Sequence, residues 1–277
     1  MNEIEKPIQR SRLRQILGKE YFILKRKYQW WFGEEKYATQ KTEAIYDFPV
    51  FQHQSLILRP LQNVDMQLQE NKKTNLALAI QHLHKIEIKP QECFSLWKLV
   101  GRPTKIKGYL EGLVLKEGKI ATGTGGGLCQ LGNLLFWIFA HSPLTIKERY
   151  RHGYDVFPGI NRKVPFGAGA TLAYNYIDLQ VKNETDNHFV LHLWLDDSHL
   201  HGALLAKQPL QASYKIEERN HMMKQQFWGG YSRHNQIFQL TTTPEGVSET
   251  LLFENHAIMM YEPFLEAESK KDENNQV

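Results

Sequence analysis

The sequence predicts an α+β protein: a mixed, strand-rich core around one apolar helix that starts at Cys129. Two observations carry this. Leu131, Leu134, Leu135, Ile138 and Phe139 recur at i, i+3, i+4, i+7 and i+8, the spacing of one helical face. Flanking segments instead alternate with a period of two, as in Ile177-Asp178-Leu179-Gln180-Val181 and then Phe189, Leu191, Leu193 and Leu195. A glycine-rich run, Gly123-Thr124-Gly125-Gly126-Gly127-Leu128-Cys129-Gln130, leads directly into the helix, and His141-Ser142-Pro143 ends it.

At 277 residues, 42% hydrophobic and 23% charged, the chain has the make-up of a soluble globular protein rather than a disordered one. A formal net charge of +4 is too small over this length to imply nucleic acid. Only Cys93 and Cys129 are present, which reads as a pair of free thiols rather than a disulfide framework. No signal-like apolar segment opens the chain and no apolar run approaches the roughly 20 residues a bilayer requires. The expectation is a cytoplasmic protein, with a peripheral membrane location as the variant.

That variant rests on residues 10–31. Leu13, Ile16, Leu17, Tyr21, Leu24 and Tyr28 form a helical stripe, basic residues surround it, and Trp30-Trp31 close it. Such a helix suits an anionic membrane surface. Gly18 and Glu20 interrupt the stripe and favour docking on the core instead. Residues 1–50 are therefore expected to be a basic helical arm and linker, 51–206 the core domain, 207–264 a β-rich extension and 265–277 a disordered tail.

Between arm and glycine run, a helix is expected to begin at Thr74 or Asn75 as N-cap, with Leu76, Ala79, Ile80 and Leu83 on its apolar face. Strands follow at Ile86–Ile88 and Cys93–Trp97, with a hairpin over 113–120. Cys93, inside an alternating apolar strand, is expected to be inert core. The segments 177–181 and 189–195 read as a hairpin about the turn 183–187.

The run Asn75-Leu76-Ala77-Leu78-Ala79, the stretch Lys89-Pro90 to Phe94-Ser95, Gly125 to Leu131, Glu148-Arg149-Tyr150-Arg151-His152, and Pro165 to Thr171 with Asn175 to Leu179 resemble, in order, the motifs of the VanW family. The basic arm and Tyr261-Glu262-Pro263 are similar to its shorter members. The resemblance implies a cell-envelope or glycopeptide-resistance context and does not itself supply a reaction.

The residues suggest one. A thiol at a helix start can gain thiolate character from free amides and the helix dipole, so Cys129 is the candidate nucleophile. His152, 23 residues on (152 − 129), is the candidate base, with Asp178 or Asn175 orienting it. Gln130 and the amides of Gly126 and Gly127 are candidate oxyanion donors. The reaction would be acyl transfer or amide hydrolysis on a peptidoglycan-type peptide. The alternative is a binding or scaffolding module whose glycine loop only packs. A phosphate cradle is disfavoured because the lysine and the serine or threonine of a phosphate loop are missing, and no cofactor is expected. Asp196, Asp197, His199 and His201 could ligate a metal, but turns collect such residues, and no metal site is expected.

Overall fold

The computed structural model describes residues 11–58, 66–116, 119–156, 164–174 and 177–261. Four helices of five residues or more, α1 (Arg12–Phe32), α2 (Met66–Leu83), α3 (Leu96–Val100) and α4 (Cys129–Ala140), accompany thirteen strands among these residues. One sheet has the order β1 (Phe48–Leu56), β10 (His199–Ala206), β9 (Phe189–Leu195), β2 (Ile86–Ile88). A second is β11 (Ser213–Gln225), β12 (Tyr231–Thr243), β13 (Gly246–Met259), with β7 (Tyr154–Asp155) added in parallel. A third joins β3 (Cys93–Ser95), β8 (Gln180–Lys182) and β6 (Thr145–Glu148), and β4 (Glu111–Lys116) with β5 (Lys119–Thr124) forms a hairpin. The expected α+β class is what the chain adopts.

Helix α4 is buried almost all round. Leu131, Leu134, Leu135, Phe136, Trp137, Ile138 and Phe139 are all enclosed, so the single apolar face read from spacing understates it. Strands β1 and β10 lie over it; Gly202 of β10 lets Ile138 and Leu134 approach where a Cβ would meet them at 2.7 and 2.9 Å. Its C-terminal carbonyls are satisfied from the second sheet, since Gln239 Nε2 donates to Ala140 O at 2.7 Å and Ser142 O at 3.0 Å. Ile216 and Ile237 of that sheet belong to the same buried cluster as α4, and the Phe253 ring packs tilted against Phe136 with centroids 5.2 Å apart. The strands after residue 206 therefore complete the central core.

Three local expectations change. Asn75 is not an N-cap but lies inside α2, wholly buried, with its side chain bonded across to Leu110 N, Leu110 O and Gly126 O. Strand β3 stops at Ser95 because the Ser95 hydroxyl caps α3 by accepting from Lys98 N. The segments 177–181 and 189–195 do not pair as a hairpin: β8 pairs with β3 and β6, while β9 pairs with β10 and β2. Alternation fixed which face each strand buries but not which neighbour it takes. Asn175 and residues 262–277, including the tail, lie outside the described residues.

Helix α1 behaves unlike the favoured expectation. Ile23 is buried and Arg26 makes a bidentate pair with Glu148 at 2.6 and 2.7 Å. The stripe itself faces outward, with Leu13 68%, Leu17 62% and Leu24 67% exposed. Glu20, one of the interruptions, sits 3.7 Å from Arg102. Among the described residues no helix is long and apolar enough to cross a membrane.

Candidate functional site

The glycine run is a wedge of backbone. Gly125 N–H donates to Leu110 O, Gly126 N–H to Gly123 O and Gly127 N–H to Leu113 O, so all three amides are taken by the β4–β5 hairpin and its own turn. A Cβ on Gly126 would stand 2.1 Å from Gly112 C, backbone against backbone. At Gly127, where φ is +92°, it would enter the Lys72 side chain at 2.3 Å. The expected oxyanion role of Gly126 and Gly127 is therefore not available in this geometry. Gln130 is committed too: Nε2 donates to Ser55 Oγ at 2.9 Å and Leu56 O at 2.8 Å, tying α4 to β1.

Asp178 does not reach toward His152. It accepts from Ser95 Oγ at 2.6 Å, Trp97 N at 3.0 Å and Gln180 Nε2 at 3.2 Å, anchoring the start of α3. It is fully buried, and desolvation pushes its carboxyl up to about 6. Cys93, as expected, is core: burial raises its thiol to about 12.

Cys129 and His152 each contact one of two neighbouring residues in the same short stretch of chain. Cys129 Sγ lies 3.9 Å from Leu172 O. The preceding residue, Thr171, places its Oγ1 2.6 Å from His152 Nδ1 and accepts from His152 N at 3.1 Å. Thr171 N–H in turn donates to Tyr150 O at 2.7 Å, so the connector between β6 and β7 runs alongside residues 169–171. Gly132 of α4 allows this approach, because a Cβ there would stand 2.9 Å from Leu172 and 3.0 Å from Ala170 O. Asn133 Oδ1 accepts from Ala170 N at 2.9 Å on the same side.

The electrostatics differ from a preformed ion pair. Cys129 keeps partial exposure as a residue, yet desolvation raises its thiol above the ordinary value and outweighs the helix start. The lowering contributions come from its contact with Leu172 and from its own backbone amide. His152 is pushed down to about 4, by burial first and then by Arg151 and Arg149, with Asp155 opposing. At neutral pH both groups are uncharged.

Sequence reasoning missed how the whole Glu148–His152 motif is used. Glu148 holds Arg26 and accepts from Asp178 N at 2.9 Å. Arg149 Nε donates to Gly169 O at 2.8 Å, and Nη2 bonds Gly167 O and Asn255 Oδ1, the latter at 3.2 Å. Its guanidinium lies 4.2 Å over Phe253 and 5.2 Å from Phe136. Burial, with Arg151 nearby, lowers it to about 9. Asp196 accepts from His201 Nε2 at 2.6 Å and from Ser198 N and His199 N, which is turn chemistry, and no metal-holding group occurs among the described residues.

A depressed histidine stabilises the fold above its unfolded value of about 6.5 and loses that contribution as pH falls toward 4. His152→Gln, which keeps a donor for Thr171, should shrink the drop in melting temperature between pH 7 and pH 4.5 by the equivalent of on the order of 2 kcal/mol. An unchanged drop would show that His152 is not held neutral.

The model of the VanW family, described as VanW like protein, matches residues 71–205. Vancomycin B-type resistance protein VanW of Enterococcus faecalis (strain ATCC 700802 / V583) is 40% identical over 180 residues, 65% of this chain and 66% of the relative. Uncharacterized protein YoaR of Bacillus subtilis (strain 168) is 30% identical over 115 residues, 42% of this chain and 36% of the relative. The matched parts thus span just under two thirds of the enterococcal protein and about a third of the Bacillus one. No solved structure matches. On this match and the ordered motifs around Cys129 and His152, the chain belongs to the VanW family.

Proposed function

We propose that this VanW-family chain acts in a glycopeptide-resistance or cell-envelope context as a cysteine-dependent acyl-transfer enzyme, with Cys129 as nucleophile and His152 as base. The observation that supports it is the convergence of thiol and imidazole on adjacent residues, Cys129 Sγ at Leu172 O and His152 Nδ1 at Thr171 Oγ1. In the tautomer whose Nδ1–H donates to Thr171 Oγ1, Nε2 takes the proton. Because thiol and imidazole are both neutral at rest, attack is coupled to proton transfer rather than launched from a standing thiolate. Sγ adds to a peptide carbonyl as its proton passes to His152. The imidazolium then protonates the leaving amine, the C–N bond breaks, and a thioester remains for an amine or water to resolve. A peptidoglycan-type peptide is the substrate this context suggests.

The competing reading, a binding module, draws on the glycine amides, Gln130 and Asp178 all being committed to packing. Intact-mass analysis separates the two. Incubated with peptidoglycan-type peptides, the wild type should carry a thioester adduct on Cys129. Cys129→Ser should lose at least 100-fold of that labelling at unchanged melting temperature. Absence of any adduct on a folded wild type favours the binding module.

The chain is also proposed to rest on an anionic membrane surface through α1. The stripe from Leu13 to Leu24 is exposed while Ile23 and Arg26 fix the opposite side, and Arg12, Arg14, Lys19, Lys25 and Lys27 complement acidic headgroups. Full-length protein should co-sediment with vesicles of phosphatidylglycerol, and Leu17→Glu with Leu24→Glu should reduce the bound fraction at least fivefold. Equal sedimentation of both proteins, or none, contradicts the membrane role.

A further inference from the structure

His234 of β12 and His256 of β13 stand directly opposite each other, with their Nδ1 atoms 2.7 Å apart. A hydrogen bond there needs one N–H and one lone pair, so the contact holds a single proton. The second nitrogen of His234 lies 2.7 Å from Ser232 Oγ, which also accepts from Gln226 Nε2. The second nitrogen of His256 lies 3.8 Å from Glu254. One ring can become an imidazolium and donate to the other, but two imidazoliums would set N–H against N–H. Burial first, then His256 and Lys224, hold His234 below its ordinary value. Convergent imidazoles can also ligate a metal, but no group of three metal-binding side chains forms among the described residues. Lys224 of β11 and Glu254 of β13 are the charged groups beside the pair. His256 also lines a cavity of about 330 Å³ whose other wall holds Arg149, Arg151 and His152. Arg233, next along β12, turns to the opposite face, where it pairs with Asp155 and lies over Phe166; it also donates to His221 Nε2.

Neighbouring residues of a strand point to opposite faces, so the histidine pair is backed by Asn235 and Asn255. These two are also register partners, both buried, and Asn255 Nδ2 donates to Asn235 Oδ1 at 2.8 Å. They reach the candidate site from behind. Asn235 Nδ2 donates to Phe166 O at 2.6 Å, and Asn255 Oδ1 accepts from Arg149 Nη2 at 3.2 Å. Phe166 opens the strip that ends at Thr171 and Leu172, where His152 and Cys129 make their contacts. Parting β12 from β13 at the histidines therefore loosens the asparagines that hold this strip.

We propose that His234 and His256 form a proton-operated latch between β12 and β13, closed near neutral pH and open in acid, that controls access to Cys129. The latch serves the acyl-transfer site proposed above, and its opening does not depend on that chemistry. The closed pair resists its second proton, so closure is fully present above about 6.5, the ordinary imidazole value, and is lost as pH falls below it. His152, pushed down to about 4, stays neutral through the first part of that fall. A change completed above pH 5 thus reports the latch.

The test is hydrogen exchange of the full-length chain at pH 7.2 and pH 5.0, corrected for the intrinsic rate. Labelling of Cys129 by a dipyridyl disulfide, which reacts with thiols in acid, is measured alongside. Amides of 232–236 and 254–258 should lose at least tenfold of their protection at pH 5.0, while those of 190–194 and 200–204 keep theirs. His256→Asn keeps a hydrogen-bonding group where Nδ1 stood but takes no proton, so its strands should stay closed at both values. Cys129 should label at least threefold faster in the wild type than in this variant at pH 5.0, and equally at pH 7.2. Should His256→Asn fail to fold, His234→Gln, which keeps a group for Ser232, is expected to behave alike. Equal protection of the wild type at both pH values, opening that persists in the variants, or opening that leaves Cys129 labelling unchanged overturns the latch. So does a gain in protection on adding equimolar zinc at pH 7.2, which would make the pair a metal site. A latch that opens on a chain giving no thioester adduct sinks the catalytic reading alone. Adduct formation on a chain whose strands stay closed at pH 5.0 sinks the latch alone.

Discussion

The contact on which the rest depends is the meeting of two backbones, Gly112 of β4 and Gly126 of the turn after β5. Neither residue has room for a Cβ: one on Gly112 would stand 2.6 Å from Gly126 O, and one on Gly126 would stand 2.2 Å from Gly112 O. Asn75, buried inside α2, stitches the contact by donating to Gly126 O at 2.9 Å and accepting from Leu110 N at 2.8 Å. A buried amide fully satisfied in this way is rigid, because breaking any one bond strands a polar group away from water. The hairpin, α2 and the first turn of α4 are locked together at this point. Cys129 stands where it does because the chain leaves that lock in a set direction.

The second determinant lies at the far side of Cys129. Residues 166–172 are held by three different elements: Arg149 from the connector, Asn133 and Gly132 from α4, and Asn235 of β12, whose Nδ2 donates to Phe166 O at 2.6 Å. Thiol and imidazole are thus brought to one strand of chain by packing and backbone hydrogen bonds rather than by their own pairing. Their uncharged resting state follows from that enclosure, since burial acts against both the thiolate and the imidazolium.

How much of this could be read in advance divides along physical lines. The helix from Cys129, a hairpin over 113–120, the buried Cys93 and the strand-rich character of the segment after residue 206 were legible, because local periodicity and turn chemistry determine them, whereas the length of those last strands was not. Asn75 was misplaced because a polar residue before an apolar run has the same local signature whether it caps a helix or satisfies a distant loop. The orienting role assigned to Asp178 failed for a related reason: alternation gives the face of a strand, and the partner on that face, Ser95, comes from a strand more than 80 residues away. The outward stripe of α1 was hidden by Gly18 and Glu20, whose exposure costs nothing on a surface. The packing of Arg149 against Phe136 and Phe253 could not be read, because nothing in a sequence says which rings will fold around a cation.

The claim that the glycine run is a structural wedge, and sets Cys129 by close backbone contact, is tested most directly by comparing two alanine substitutions by chemical denaturation. At Gly123 a Cβ would meet only Val114 side-chain atoms, at 3.4 Å, whereas at Gly126 it meets the backbone of Gly112. Gly126→Ala should therefore cost about 1–3 kcal/mol or more, the range for forced overpacking, while Gly123→Ala stays within about 1 kcal/mol of wild type. Equal stability of the two variants would contradict the account and return the glycine run to the status of a free, ligand-binding loop.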